Sequence, residues 1–204
     1  MNRETNGETQ RTAHSKSHEI DWEKAQQGVH LLLEAVGEDP TREGLKATWK
    51  RRVPQTFETL TEGTRENSKP AMRTFPSDEA GVVIKTGIPL YSLCEHHLLP
   101  YYGTAHVAYV PDGEVVGLSK LSRYVRWQSR RLTIQESLTR EIADGLTTEV
   151  DTTGVIVELT ATHLCEAMRG VERATETTTQ AVTGDVPEAV KRQFERAVNS
   201  TTKP

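Results

Sequence analysis

The chain has 204 residues, 35% of them hydrophobic and 26% charged, with a formal net charge of -4, and its mean hydropathy of -0.59 is that of a soluble globular protein. That length builds one sizeable core, while no apolar run reaches the ~18 residues a spanning helix needs. The acidic balance excludes broad adhesion to nucleic acid, and the opening residues lack a signal peptide's apolar centre, so the expected setting is a reducing cytoplasm with both cysteines as thiols.

Residues 1–20 are polar and aperiodic and read as a disordered tail, because they offer too little apolar surface to offset the entropy of ordering. A first helix is predicted from Trp22, Ala25, Val29, Leu32, Leu33 and Val36, capped by Asp21 and stopped by Gly37 and Pro40. A second, broken or kinked at Pro54, runs from Thr41 towards Leu60, completing an N-terminal helical region over 21–62. Thr61 to Gly81 reads as loop. From Val82 the pattern turns to strand, through Ile84, Ile88, Leu90 and Leu93, and then after Pro100 through Ala105, Val107 and Tyr109 to a turn at Asp112-Gly113. Between Leu118 and Val150 the period is helical again, giving two helices or one bent one. Alternation returns from Gly154 to Cys165, and the threonine-rich run Ala174 to Thr183 supplies a partner strand, since β-branched side chains suit the pleat. Residues 63–184 thus form the main domain, and Val190, Phe194 and Val198 predict a terminal helix within 185–204. This order predicts an α+β fold with a four-stranded, mostly antiparallel sheet and two long helices.

Both cysteines lie beside histidines, in Cys94-Glu95-His96-His97 and His163-Leu164-Cys165. Any one of these residues alone is more often a satisfied core side chain, but the clustering points to a metal. Cys94 and His97 have the short separation of zinc ligands, and His163 and Cys165 on a strand would project from one face. Thiolate with imidazole selects zinc over magnesium or calcium. Two ligand sets remain open on spacing alone. Cys94, His96 or His97, His163 and Cys165 would close a structural site; Cys94, His97 and Cys165 would leave a position for water, with His96 and His163 beside it to move protons.

Between Glu114 and Glu136 there is no acidic residue, yet Lys120, Arg123, Arg126, Arg130 and Arg131 all fall there. Taken singly each is an ordinary solvated helix residue. Gly117-Leu118-Ser119-Lys120, however, reads as a helix start capped by Ser119, where free backbone N–H groups favour an anion, and Lys120 and Arg123 share a face near it. Phosphate is the obvious anion, and Arg169 would tie that site to the metal. The residues themselves therefore predict metal-assisted hydrolysis of a phosphorylated substrate, without naming it.

Several separated segments resemble GTP cyclohydrolase I: Ser92 to Pro100, Gly117 to Arg123, Gln135 to Thr139, Ala161 to Cys165 and Met168 to Val171, preceded by Glu38 to Leu45. The resemblance implies that Cys94, His97 and Cys165 hold Zn2+, and that GTP and water become 7,8-dihydroneopterin triphosphate and formate through attack at guanine C8. It also implies proton transfer by His163 and His96 with Ser119, guanine recognition by Glu136 with Gln135 adjacent, and Leu118 among the substrate-binding residues. Lys120, Arg123 and Arg169 match its triphosphate-binding positions. The implied fold is the tunnelling fold, assembled as a homodecamer of two pentameric rings with sites shared between subunits. The chain departs from the family at Thr48-Trp49-Lys50-Arg51, in place of Thr-Pro-x-Arg, and at Ser137, often an arginine. Two rivals are a nitrile reductase of the same fold, which needs no metal, and a non-catalytic binding module stapled by a closed zinc site.

Overall fold

The computed structural model describes residues 19–77 and 81–201; the tail expected at Met1–His18 lies outside the described residues. Helix α1 (Trp22–Ala35) starts where Asp21 caps it, its carboxylate accepting from the Lys24 N–H, and ends before Gly37, whose φ of 85° is the left-handed conformation that reverses the chain. Helix α2 (Glu43–Ala47) runs into a π-helical turn, Thr48–Arg52, and then into α3 (Val53–Leu60). Pro54 therefore does not break the segment. It sits in the first turn of α3, directly after the wider π turn, and the Lys50 carbonyl four residues back, which a proline cannot bond, accepts instead from Gln26 Nε2 at 2.7 Å. The expected loop over 61–81 contains two short 3-10 turns and strand β1 (Thr74–Pro76).

Strands β2 (Val83–Cys94) and β3 (Pro100–Pro111) pair antiparallel. The three residues of β4 (Glu114–Val116) pair with β1 as a separate ribbon. Two distinct helices follow, α4 (Leu118–Ser129) and α5 (Gln135–Glu149), divided by the two-residue strand β5 (Leu132–Thr133). The chain ends with β6 (Thr152–His163), the single turn α6 (Leu164–Ala167), β7 (Glu176–Gly184) and α7 (Glu188–Thr201). The main sheet has the order β5-β2-β3-β6-β7, so it holds five strands rather than four; only the β2–β5 pair is parallel. The fold is α+β, as the order of patterns predicts.

Alternation along the long strands decides where the core lies. Ala105, Val107 and Tyr109 of β3 and Val155, Val157 and Leu159 of β6 face α4 and α5, where they meet Leu121, Val125, Leu138, Ile142 and Leu146. The opposite parity, Ala108 and Ile156, meets Phe194 and Val198 of α7. Burial of the first face anchors both helices on the sheet, and the start of α5 arrives beside the end of β2 because β5 pairs Leu93 with Leu132 and Cys94 with Thr133. No helix among the described residues is long and apolar enough to cross a membrane.

Candidate metal centre and its adjoining pocket

One end of the sheet gathers the residues singled out by the sequence. Cys94 closes β2, His163 closes β6, and β3 between them pairs Tyr101 with His163. After Cys94 the chain turns tightly: its carbonyl accepts from the Leu98 N–H at 2.9 Å and its own N–H donates to the Leu99 carbonyl at 2.9 Å. Leu98 takes a φ of 57°, a conformation costly for a leucine, and the turn brings the His97 ring back towards Cys94. His97 Nδ1 lies 3.7 Å from Cys94 Sγ.

Cys165 reaches the same place by a different route from the one expected. The strand stops at His163, and Cys165 lies in the one-turn helix α6, so the shared-face argument for His163 and Cys165 fails. The helical turn swings the thiol towards Cys94 while the imidazole stays on the sheet. Ligand atoms of Cys94, His97 and Cys165 all lie within 4.8 Å of one another, and His163 is not part of that group. Burial and the neighbouring Cys94 thiol push the Cys165 thiol up, against a pull downwards from Arg169. Two thiolates this close repel, and a divalent cation between them removes the conflict. Two sulfurs and one imidazole nitrogen suit zinc, whose bonds of about 2.0–2.3 Å place tetrahedral ligands ~3.5 Å apart.

His163 is held by two contacts of its own. Its ring stacks on Tyr101, centroids 4.6 Å apart and planes 12° from parallel. Its Nε2 meets Gln135 Oε1 at 2.8 Å, and burial pushes its pKa below the ordinary value, with Glu136 and Glu166 pulling back up. Tyr101 is fixed in turn through Thr133 Oγ1, which also meets Ser92 Oγ at 3.0 Å. Sequence reading misses Tyr101 and Thr133; their part follows from strand register, which no local motif encodes.

A cavity of about 200 Å³ joins these groups, lined by Cys94, His96, His97, Gln135, Glu136, His163 and Cys165 among others. Glu136 is exposed at the first turn of α5. His96 is also exposed, 3.9 Å from the Glu95 carboxylate. Gln135, by contrast, is 2% exposed, and its side chain is consumed inside the protein. Leu118, Ser119, Lys120 and Arg123 lie elsewhere, at the start of α4, and line no part of this cavity. There Gly117, not Ser119, is the N-cap, and no side chain caps the helix; Ser119 sits exposed one position inside it. Arg123 and Arg126 face a different hollow with Glu62, Ser68, Pro70 and Trp127. Arg169, exposed after α6, is near enough to Cys165 to act on its thiol.

Comparison with known proteins fits this arrangement. The sequence pattern of the family described as GTP cyclohydrolase I matches residues 25–199. GTP cyclohydrolase 1 of Hyperthermus butylicus is 48% identical over 166 residues, covering 81% of this chain and 84% of its own. The proteins of that name from Carboxydothermus hydrogenoformans and Campylobacter jejuni (serotype O:23/36) are 46% and 45% identical, covering 81% and 84% of this chain and 87% and 93% of theirs. A solved structure, the archaeosine synthase QueF-Like in its apo form, is 17% identical with a TM-score of 0.43, covering 54% of this chain and 100% of its own. That likeness is too slight to bear on fold or chemistry. The family pattern spans all the elements from α1 to α7 that build the metal centre and its pocket, and with relatives of nearly half-identical sequence it establishes that this chain belongs to the GTP cyclohydrolase I family.

Proposed function

We propose that the chain hydrolyses GTP at guanine C8, releasing formate and 7,8-dihydroneopterin 3'-triphosphate, the entry to pterin and folate-type biosynthesis. One observation carries this assignment of roles: Cys94, His97 and Cys165 form a three-ligand cluster while His163 stands outside it, held by protein contacts against the same cavity. Zinc held by those three residues supplies a Lewis acid that lowers the pKa of water to about 7. His163, neutral because burial disfavours its charged form, takes a proton from the attacking water and returns it to the purine nitrogen as the C8–N bond opens. His96, exposed at the rim, serves the later proton transfers with Ser119.

Glu136 accepts hydrogen bonds from the guanine N1–H and 2-amino group. Adenine lacks both donors and would leave the carboxylate unpaired, which sets the base preference. Lys120, Arg123 and Arg169 bind the triphosphate. Within one chain the α4 cations and Leu118 do not line the metal cavity, and that cavity falls below the ~300–1,000 Å³ of ligand pockets. Both facts support sites completed by neighbouring subunits, in a tunnelling-fold ring assembled as a homodecamer. The exposure of Leu31 and Leu32 on α1, of Val36 just after it, and of Tyr91 and Tyr102 on the sheet supports such covering partners. Two thiol ligands also suit a reducing cytoplasm.

The test is direct. Purified protein given GTP releases formate and yields dihydroneopterin triphosphate, and a chelator abolishes both; turnover that survives complete metal removal overturns the proposal.

A further inference from the structure

Gln135 opens α5 with its side chain buried, and each of its polar atoms has a partner inside the protein. Nε2 faces the Leu159 carbonyl at 3.0 Å, the Thr177 carbonyl at 2.8 Å and Thr179 Oγ1 at 3.1 Å. Carbonyl oxygens only accept, so the atom turned to them must be the amide NH2. The threonines obey the same order. Thr139 Oγ1 donates its proton to the Gln135 carbonyl at 2.7 Å, so at its 2.6 Å approach to Thr179 the Thr179 hydroxyl is the donor, which leaves the Thr179 oxygen to accept from Gln135. The amide cannot flip without opposing two carbonyls with its own oxygen.

Its Oε1 is therefore fixed opposite His163 Nε2 at 2.8 Å. An amide oxygen only accepts, so the proton of the neutral imidazole lies on Nε2 and the lone pair on Nδ1. Tyr101, stacked at 4.6 Å, prevents the ring from turning out of this plane.

We infer that Gln135 is a positioning residue, not a side-chain contact to guanine: it holds His163 as the Nε2–H tautomer, so that Nδ1 is the atom that takes the proton from the attacking water and delivers it to the purine nitrogen. This rests on the role proposed above for His163. During transfer Nδ1 gains one proton to form imidazolium and loses it again, while the Nε2–H bond to Gln135 persists and no other bond changes. The network β6–β7–α5 thus sets which nitrogen works, through Leu159, Thr177 and Thr179.

The test uses zinc-loaded, 15N-histidine-labelled protein. Solid-state NMR reads the ring nitrogens, and the His163 signals are those absent from His163→Ala. Wild type should show His163 protonated on Nε2 alone; a ring protonated on Nδ1 overturns the inference, and this measurement needs no variant to fold. Gln135→Met, similar in length but without the acceptor, should mix the tautomers and lower kcat about 10- to 100-fold, as for other partners that orient a functional imidazole. KM for GTP should stay within about twofold. If Gln135→Met instead raises KM with kcat unchanged, its side chain binds guanine and the inference falls. Absence of formate release by wild type would remove the proposed function, whereas the tautomer result would stand or fall separately.

Discussion

Cys94 and His97 can be paired from sequence because only two residues separate them and a tight turn spans that distance. Sequence also reaches their partner Cys165, but for an incomplete reason: alternation does not extend past His163, where a helical turn takes over. Gln135 shows the other limit. Its neighbour Glu136 is the proposed guanine anchor, and adjacency suggests a shared task, but Gln135 points into the sheet while Glu136 points to solvent. Consecutive positions at a helix start face different ways, and only the docking of α5 on β6 and β7 decides which is buried. Glu136→Gln should keep its zinc and lower kcat/KM for GTP about 10- to 100-fold, the worth of a hydrogen bond to a charged group; unchanged turnover would show the anchor misassigned. His106 offers a prediction on stability. It is 1% exposed, its Nδ1 accepts from the Gly87 N–H at 3.3 Å, and Glu158 stands opposite it on β6. Burial pushes its pKa below the ordinary value and Glu158 offsets part of this. The folded state then binds a proton less readily than the unfolded chain, so stability is full above ~6.5 and declines as pH falls from there through the lowered folded value. Against His106→Gln, the wild type should show the larger fall in denaturant midpoint between pH 7.5 and 5.5; parallel falls would contradict this.

The helices are legible because each long one carries an apolar stripe at 3.6-residue spacing, and β3 and β6 because one of their faces lies on that stripe. The elements that escape are short. Leu132–Thr133 is two residues, and β1 and β4 are three each. Such strands exist through hydrogen bonds to a partner remote in sequence, and no local pattern records that partner. The π turn at Thr48–Arg52 falls on the departure from the family's Thr-Pro-x-Arg, and the helix continues through it. The packing of α4 on α5 depends on Gly145, where an added Cβ would lie 2.0 Å from Tyr124 Oη and 3.3 Å from Gln128 Nε2. Alanine gains ~1 kcal/mol of helix propensity over glycine, yet Gly145→Ala should lower stability by about 1–3 kcal/mol through overpacking. A chemical denaturation midpoint at or above wild type would show that the two helices can move apart freely.

In the molecule as a whole, Arg123, one of the cations proposed to bind phosphate, and the Cys94–His97–Cys165 cluster line separate hollows of one chain. Lys120→Ala and Arg123→Ala should weaken binding of GTP far more than of guanosine, by about 1.5–3 kcal/mol for each charge-assisted hydrogen bond to phosphate that is removed; equal weakening for both ligands would remove the phosphate role. If neighbouring subunits complete each site, Arg123→Ala and His163→Ala chains are separately impaired but complement each other when mixed through reversible unfolding. Random assortment predicts recovery of roughly a quarter of wild-type activity. No recovery, in mixed oligomers confirmed by mass, would place both residues in one subunit's site. The parity of strands and the stripe of helices say nothing about such sharing, which is why the sequence pattern alone implies a single continuous site.

The most direct measurement is the zinc content of purified His163→Ala alongside its release of formate from GTP. Three protein ligands with a free proton carrier predict one zinc per chain, as in wild type, with formate release reduced by about 10²-fold or more. Loss of the metal from that variant would show that His163 closes the site as a fourth ligand, and would contradict the account.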